Sequence, residues 1–286
     1  MAAALSRAGG PVSVIEELLG GTATAAWCLE EPGGGDPVEG IGVRAGVDGT
    51  EVVLTGTKRP IEGAATAQHF LVTARTDGGL IQVLVPSSTE GVVVAPMQSV
   101  DLTRRFSVVT FEGARVPVEA VVGQPGHARQ DVEEQLQFAL VIGCAESVGA
   151  MERAFDMTVE WAFDRYSFGR PLASYQELKH RFADMKTWLE ASHALADAAA
   201  RAVQDDSADA DELASAAKAY IGNYGPELCQ ECVQMHGGIG VTFEHDMHLF
   251  LRRVTLDSLL YGTVTDHRLR LTDILEAKAN EKGDAA

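Results

Sequence analysis

Arg165-Tyr166-Ser167-Phe168-Gly169-Arg170-Pro171 is the stretch that organises the reading of this chain. The apolar spacing turns helical from about Gln130 onward, and Gly169 and Pro171 cannot continue a helix. A second interruption, Gln234-Met235-His236-Gly237-Gly238-Ile239-Gly240, ends a later helix on paired glycines. A third, Leu260-Tyr261-Gly262-Thr263, separates the last two periodic stretches. The breaks predict helices near 131–165, 173–203, 209–236, 245–261 and 264–280. Long antiparallel helices joined by short links form an up-down bundle of the four-helix type.

Upstream the texture is different. Val52-Val53-Leu54, His69-Phe70-Leu71-Val72, Leu80–Val85, Val92-Val93-Val94 and Phe106–Phe111 are short apolar or alternating runs. Gly33-Gly34-Gly35, Asp48-Gly49, Asp77-Gly78-Gly79 and Pro86-Ser87-Ser88 supply turns between them. A helical lead over Val12–Leu19 ends at Gly20-Gly21. The expected organisation is α+β: a lead at 1–22, a β-domain at 23–126 and a helical domain at 127–286.

The 286 residues suffice for one large or two ordinary domains, and 46% hydrophobic content fits a globular protein. No apolar run approaches the ~20 residues of a membrane span, and residues 1–20 do not read as a signal peptide. A formal charge of −18 excludes nucleic acid and anionic membranes as expected partners. Four cysteines are too few for a disulfide scaffold of this size and point to a reducing cytoplasm. Cys229-Gln230-Glu231-Cys232 lies inside a helical stretch with no second pair to complete a metal site, so it reads as two ordinary helix cysteines. By itself His236 reads as structural, and Trp27, Trp161 and Trp188 read as core or interface anchors.

The three helix breaks together resemble the C-terminal domain of acyl-CoA dehydrogenases. The likeness extends upstream to Glu30-Glu31-Pro32-Gly33-Gly34-Gly35-Asp36, Gly56-Thr57-Lys58-Arg59-Pro60-Ile61-Glu62 and Phe111–Pro117, in the family's order. It implies a middle β-barrel or sandwich domain followed by a C-terminal helical bundle, with the N-terminal helical domain mostly absent. It implies oxidation of the Cα–Cβ bond of an acyl-CoA, with FAD taking the hydride. It also implies that both arms reach across a subunit interface to hold FAD. Arg165 would meet the pyrophosphate, Ser167 would bond beside it, and Phe168 would pack on a ring. Gln176 would bond the adenine end, and Gln234 with Gly237 and Gly238 would form the second arm.

The departures are equally specific. The family carries its proton-abstracting Glu before the Gly-Thr pair, where this chain has Tyr261. A phenol with an ordinary pKa of about 10 is a poor replacement. The alternative base position of some members falls at Ala139, followed by Leu140. Glu134, Glu146, Asp266 and Glu244 are weak candidates for a relocated base. In the β-domain, Glu62 and Pro60 stand where the family has Thr and Trp around the flavin ring. Asp36 and Glu30 stand at a Ser and a Thr that also meet the cofactor. Three of these four changes place a carboxylate beside an anionic ligand, at about 1–4 kcal/mol for a like charge at ~4 Å.

The leading expectation is therefore a subunit with no catalytic residue of its own, completing the FAD site of a catalytic acyl-CoA dehydrogenase partner in a heteromer. An electron-transferring flavoprotein is the expected electron acceptor. The alternatives are a self-sufficient dehydrogenase with a relocated base, and a non-enzymatic binding or scaffold relative.

Overall fold

The apolar runs of the first half become strands of one mixed sheet. The computed structural model describes residues 1–33 and 36–284, divided into units Met1–Leu136 and Gln137–Ala286. In the first unit, β1 (Ala25–Cys28), β2 (Arg44–Asp48), β3 (Glu51–Glu62), β4 (His69–Thr76), β5 (Gly79–Pro86), β6 (Val92–Met97), β7 (Phe106–Pro117) and β8 (Val121–Val122) pair in the order β6-β7-β3-β2-β4-β5-β8. β1 adds to β4 in parallel. Leu54, Phe70, Val72, Val83, Val85, Val109 and Phe111, drawn from both ends of this order, share one core, so the sheet wraps around it. β4 and β5 are buried along nearly their whole length, as continuous apolar strands require. Their outward Leu71 and Leu84 are covered by Leu5, Val14, Ile15 and Leu18. These come from α1 (Ala2–Arg7) and α2 (Val12–Gly20). α2 ends with Gly21 in the left-handed conformation (φ 71°), the αL cap expected of the Gly20-Gly21 pair. α1 was not anticipated.

α3 (Ala128–Asp164) gives its first turns to the first unit, and the remainder belongs to the second. There follow a two-residue hairpin, β9 (Tyr166–Ser167) with β10 (Arg170–Pro171), then α4 (Gln176–Gln204), α5 (Ala210–His236), α6 (Met247–Asp257) and α7 (Val264–Asp284). On α3, Cys144, Val148, Met151 and Phe155 recur at helical spacing. They meet Met185 and Leu189 of α4, Ile221, Leu228 and Cys232 of α5, and Val254 of α6. The expected helix over 245–261 spans only Met247–Asp257, and at its C-terminal end the carbonyls are captured by a buried lysine described below. All four cysteines are free and buried. Burial pushes the Cys232 thiol up to about 12 and raises that of Cys229 well above its usual range, the opposite of what a redox pair needs.

Candidate functional site

At the break between α3 and α4 the chain doubles back through a hairpin with Ser167 opposite Arg170. Its two loop residues, Phe168 (φ 51°) and Gly169 (φ 81°), are both left-handed, as a type I′ turn demands. The hairpin is braced from behind. Tyr175 Oη donates to the Ser167 carbonyl (2.8 Å), and the Leu172 amide donates to the Arg165 carbonyl (2.9 Å). The Arg170 guanidinium lies 3.8 Å from the centre of the Tyr175 ring. Phe168 at the tip is 96% exposed. A bulky residue rarely takes positive φ, and doing so costs on the order of 1–2 kcal/mol. Here an aromatic takes it while burying nothing within its own chain.

The second arm is the end of α5. Gly237 (φ 66°, ψ −140°) donates its N–H to the Gln234 carbonyl, a conformation that needs glycine. Gly240 is required by packing, since a Cβ there would lie 2.5 Å from the Val233 carbonyl. Gly238 has neither reason: its φ is ordinary and a Cβ would meet nothing within 4 Å. The absence of a side chain there leaves its backbone open to approach from outside.

A ring stack brings the two arms together. The Arg165 guanidinium stands 5.9 Å from the Trp161 ring centre, and Trp161 stacks on His236 at 5.3 Å and 20°. Gln176, the first residue of α4, and Gln234, one turn before Gly237, are exposed. Among the described residues, the side chains of Arg165, Ser167, Gln176 and Gln234 form no hydrogen bond or ion pair. An uncommitted guanidinium, an open glycine backbone and an exposed ring at one end of a helical unit suit an anionic, ring-bearing ligand.

The third break is built with comparable care. Buried Lys218 of α5 donates from Nζ to the carbonyls of Asp257 and of Leu260 (2.9 Å), which stops α6 and fixes the turn after it. Ser147 Oγ donates to Asp257 Oδ2 (3.1 Å). Tyr261 then takes φ 60° and Gly262 φ 100°. The Asp266 carboxylate accepts from the Thr263 amide (2.8 Å) and hydroxyl (2.7 Å). The Asp266 amide in turn donates to Thr263 Oγ1 (3.3 Å), a reciprocal capping box at the start of α7.

Three of the four relocated-base candidates are otherwise engaged. Asp266 forms that box, Glu146 pairs with Arg253, and Glu134 pairs with Arg7 at 3.4 Å. Glu244 is exposed in the loop before α6.

In the first unit, the carboxylate at position 62 has a counter-charge. Glu62 is gripped at both oxygens by Arg104, Oε1 at 2.7 Å and Oε2 at 2.5 Å, so the charge is neutralised in place. Sequence alone gave no sign of this partner, 42 residues away. Asp36 Oδ1 accepts from the amides of Val38 and Glu39, both 2.8 Å, and so shapes a local turn. Gly34 and Gly35 of the same motif lie outside the described residues. Also unforeseen is the buried pair of Lys58 with Glu31 (2.5 Å), in which Glu31 also accepts from the amides of Gly42 (2.8 Å) and Val43 (3.0 Å).

Residues 130–274 match the family model described as "Acyl-CoA dehydrogenase, C-terminal domain", and residues 26–112 match "Acyl-CoA dehydrogenase, middle domain". The chain belongs to the acyl-CoA dehydrogenase family. It is 30% identical over 245 residues to the short/branched chain specific acyl-CoA dehydrogenase of Rattus norvegicus mitochondria, covering 83% of this chain and 56% of that protein. The chain thus spans little more than half the length of that relative. Among solved structures it resembles an acyl-CoA dehydrogenase from Geobacillus kaustophilus, with TM-score 0.87 at 22% identity, over 92% of this chain and 71% of that one. It also resembles a glutaryl-CoA dehydrogenase from Mycobacterium smegmatis in complex with FADH2, with TM-score 0.82 at 25% identity, over 92% and 68%. As a dehydrogenase-family fold it carries the middle β-domain and the C-terminal helical domain. Among the described residues no helix is long and apolar enough to cross a membrane, and no cluster of three or more His, Cys, Asp or Glu could hold a metal ion.

Proposed function

We propose that this chain is an acyl-CoA dehydrogenase-type subunit that completes the FAD site of a catalytic partner subunit and brings no base of its own. The observation that carries the reading is Phe168, a left-handed aromatic that is 96% exposed. Strain without burial is explained by a ring of the cofactor supplied by another chain. The residues present fit FAD. Arg165 would hold the pyrophosphate charge, and the Gly237 and Gly238 backbone would approach it closely. Ser167, Gln176 and Gln234 would offer uncommitted hydrogen-bonding groups, and Phe168 would cover a ring.

FAD supplies the hydride-accepting chemistry for α,β-dehydrogenation of an acyl-CoA. This chain orients the cofactor and shields one side of it from water. Removal of the α-proton falls to the partner, because Tyr261 occupies the base position and the nearby carboxylates serve as structural partners. The expected setting is a cytoplasmic heteromer passing electrons to an electron-transferring flavoprotein.

One observation favours a second reading, a self-sufficient enzyme. With Arg104 on Glu62, this chain's own flavin platform carries less repulsive charge than its sequence suggests.

The absorbance spectrum of the purified chain, alone and co-expressed with a neighbouring dehydrogenase gene, separates the two. A colourless lone chain and a yellow pair holding about one FAD per two chains support the subunit reading. A yellow lone chain with about one FAD per chain overturns it.

A further inference from the structure

The two arms come from helix breaks 70 residues apart in sequence, yet they must present one surface to one ligand. What fixes their separation is a row of rings. Trp161, one turn before Arg165, stacks on His236, the last residue of α5 before Gly237. His236 in turn meets His245, beyond the glycine loop, at 4.5 Å and 55°. His236 is 4% exposed, and its Nδ1–H donates to the Cys232 carbonyl at 2.8 Å. The glycine loop folds tightly over it, since a Cβ on Gly240 would lie 2.9 Å from the His236 Cβ.

We propose that His236 and Trp161 are positioning residues that lock the arginine arm to the glycine arm through their ring stack, and that charging His236 unlocks it. The inference rests on the functional reading for what the arms hold, but the lock itself is a property of this chain alone.

The electrostatics favour an uncharged lock. His236 faces Trp161 from α3, the Cys232 carbonyl from its own helix and His245 from the loop before α6, with Arg165 one ring further on. Burial holds the His236 imidazole below its usual pKa, against a smaller rise from the Cys232 hydrogen bond, and a charge on His245 lowers it slightly further. A neutral His236 ring keeps its stack on Trp161, whereas an imidazolium at this buried position is driven towards water and carries the 237–241 loop with it.

The test uses the full chain without flavin and reads amide hydrogen exchange in the 165–171 hairpin. His236→Ala, made in the opposite arm, is expected to speed exchange there several-fold. His236→Phe, which keeps a ring but cannot be charged, is expected to restore the wild-type rate. Tryptophan emission between about pH 8 and pH 5 adds a readout that a passive packing role would not move. Wild type should show a step with its midpoint below about 6.5. The step should vanish in Trp161→Phe and move to higher pH in His245→Gln. Unchanged hairpin exchange in His236→Ala, or equal loosening in His236→Phe and His236→Ala, overturns the lock. A step that persists in Trp161→Phe or does not move in His245→Gln overturns its control by charge. Because no flavin is present, these outcomes are independent of whether the co-expressed pair turns yellow.

Discussion

The His267 imidazole Nε2–H donates to the Tyr261 carbonyl at 3.0 Å, so a buried histidine holds the residue that we propose stands in the family's base position. The other ring nitrogen, Nδ1, is buried with no hydrogen-bond partner among the described residues. A ring so placed is stable only when neutral, and burial pushes its pKa down to about 4. The unfolded chain takes up the proton near the ordinary value of about 6.5. Stability is therefore full above that value and is lost as pH falls from 6.5 towards 4, by about 2 kcal/mol at pH 5. Urea unfolding of wild type and His267→Gln at two pH values checks this. The glutamine can keep the bond to Tyr261 but cannot titrate, so the difference between the two proteins should shrink on acidification. A constant difference would remove the histidine from the account.

Phe168 separates stability from binding. Asn followed by Gly is the preferred pair for a two-residue turn with positive φ at both positions. Phe168 precedes Gly169 in that turn and buries nothing. Phe168→Asn should leave the lone chain equally stable or stabilise it by about 0.5–1 kcal/mol. The same variant in the co-expressed pair should lose flavin on gel filtration, read from the absorbance of the protein peak. Stabilisation together with full flavin retention would mean that the exposed ring serves something other than FAD.

Much of this architecture was legible because it is local. Helix spans follow from apolar period and from Gly or Pro at the breaks, so Gly169-Arg170-Pro171 and Gly237-Gly238 fall at real helix ends. The strands over 51–62, 69–86 and 106–117 follow from runs that local turns delimit. β2 escaped because Gly46 sits within it and only Ala45 of its five residues is buried, leaving no alternation to read. The charge pairings escaped for a different reason. Glu62 finds Arg104 and Glu31 finds Lys58 only when β3 is in place, and Lys218 reaches the Asp257 and Leu260 carbonyls from another helix. Such partners depend on tertiary approach, which no window of sequence contains. They matter to the site: Arg104 cancels a charge that looked repulsive, and Lys218 shapes the turn that presents Tyr261.

The Lys58 ammonium is wholly buried in β3 and bonds the Leu29 carbonyl (2.9 Å) as well as Glu31. It thereby ties the strand to the stretch before the Glu30–Asp36 motif. Removing one partner of a buried ion pair strands the other, at about 3–5 kcal/mol. Lys58→Met should lower the unfolding free energy read from urea titration by that order, and Glu31→Gln, which strands the wholly buried ammonium and offers one acceptor oxygen to the Gly42 and Val43 amides, should cost at least as much. A loss in Glu31→Gln under about 1 kcal/mol would show that packing of the lysine stem, rather than a stranded charge, sets the effect.

Tyr261→Glu tests whether the missing base is the whole deficit. The turn that would carry the new carboxylate is already built, held by Lys218 at the Leu260 carbonyl, by His267 at the Tyr261 carbonyl and by the Thr263–Asp266 box. Misplacement of the backbone is thus no reason for failure. On the proposed correspondence the flavin platform still differs, with Pro60 and the Arg104-bound Glu62 where the resemblance places Trp and Thr. The lone Tyr261→Glu chain, supplied with FAD and a short branched-chain acyl-CoA, is therefore expected to show no flavin bleaching. Bleaching by that single substitution would mean that the platform in this chain works as it stands and that the base alone is missing.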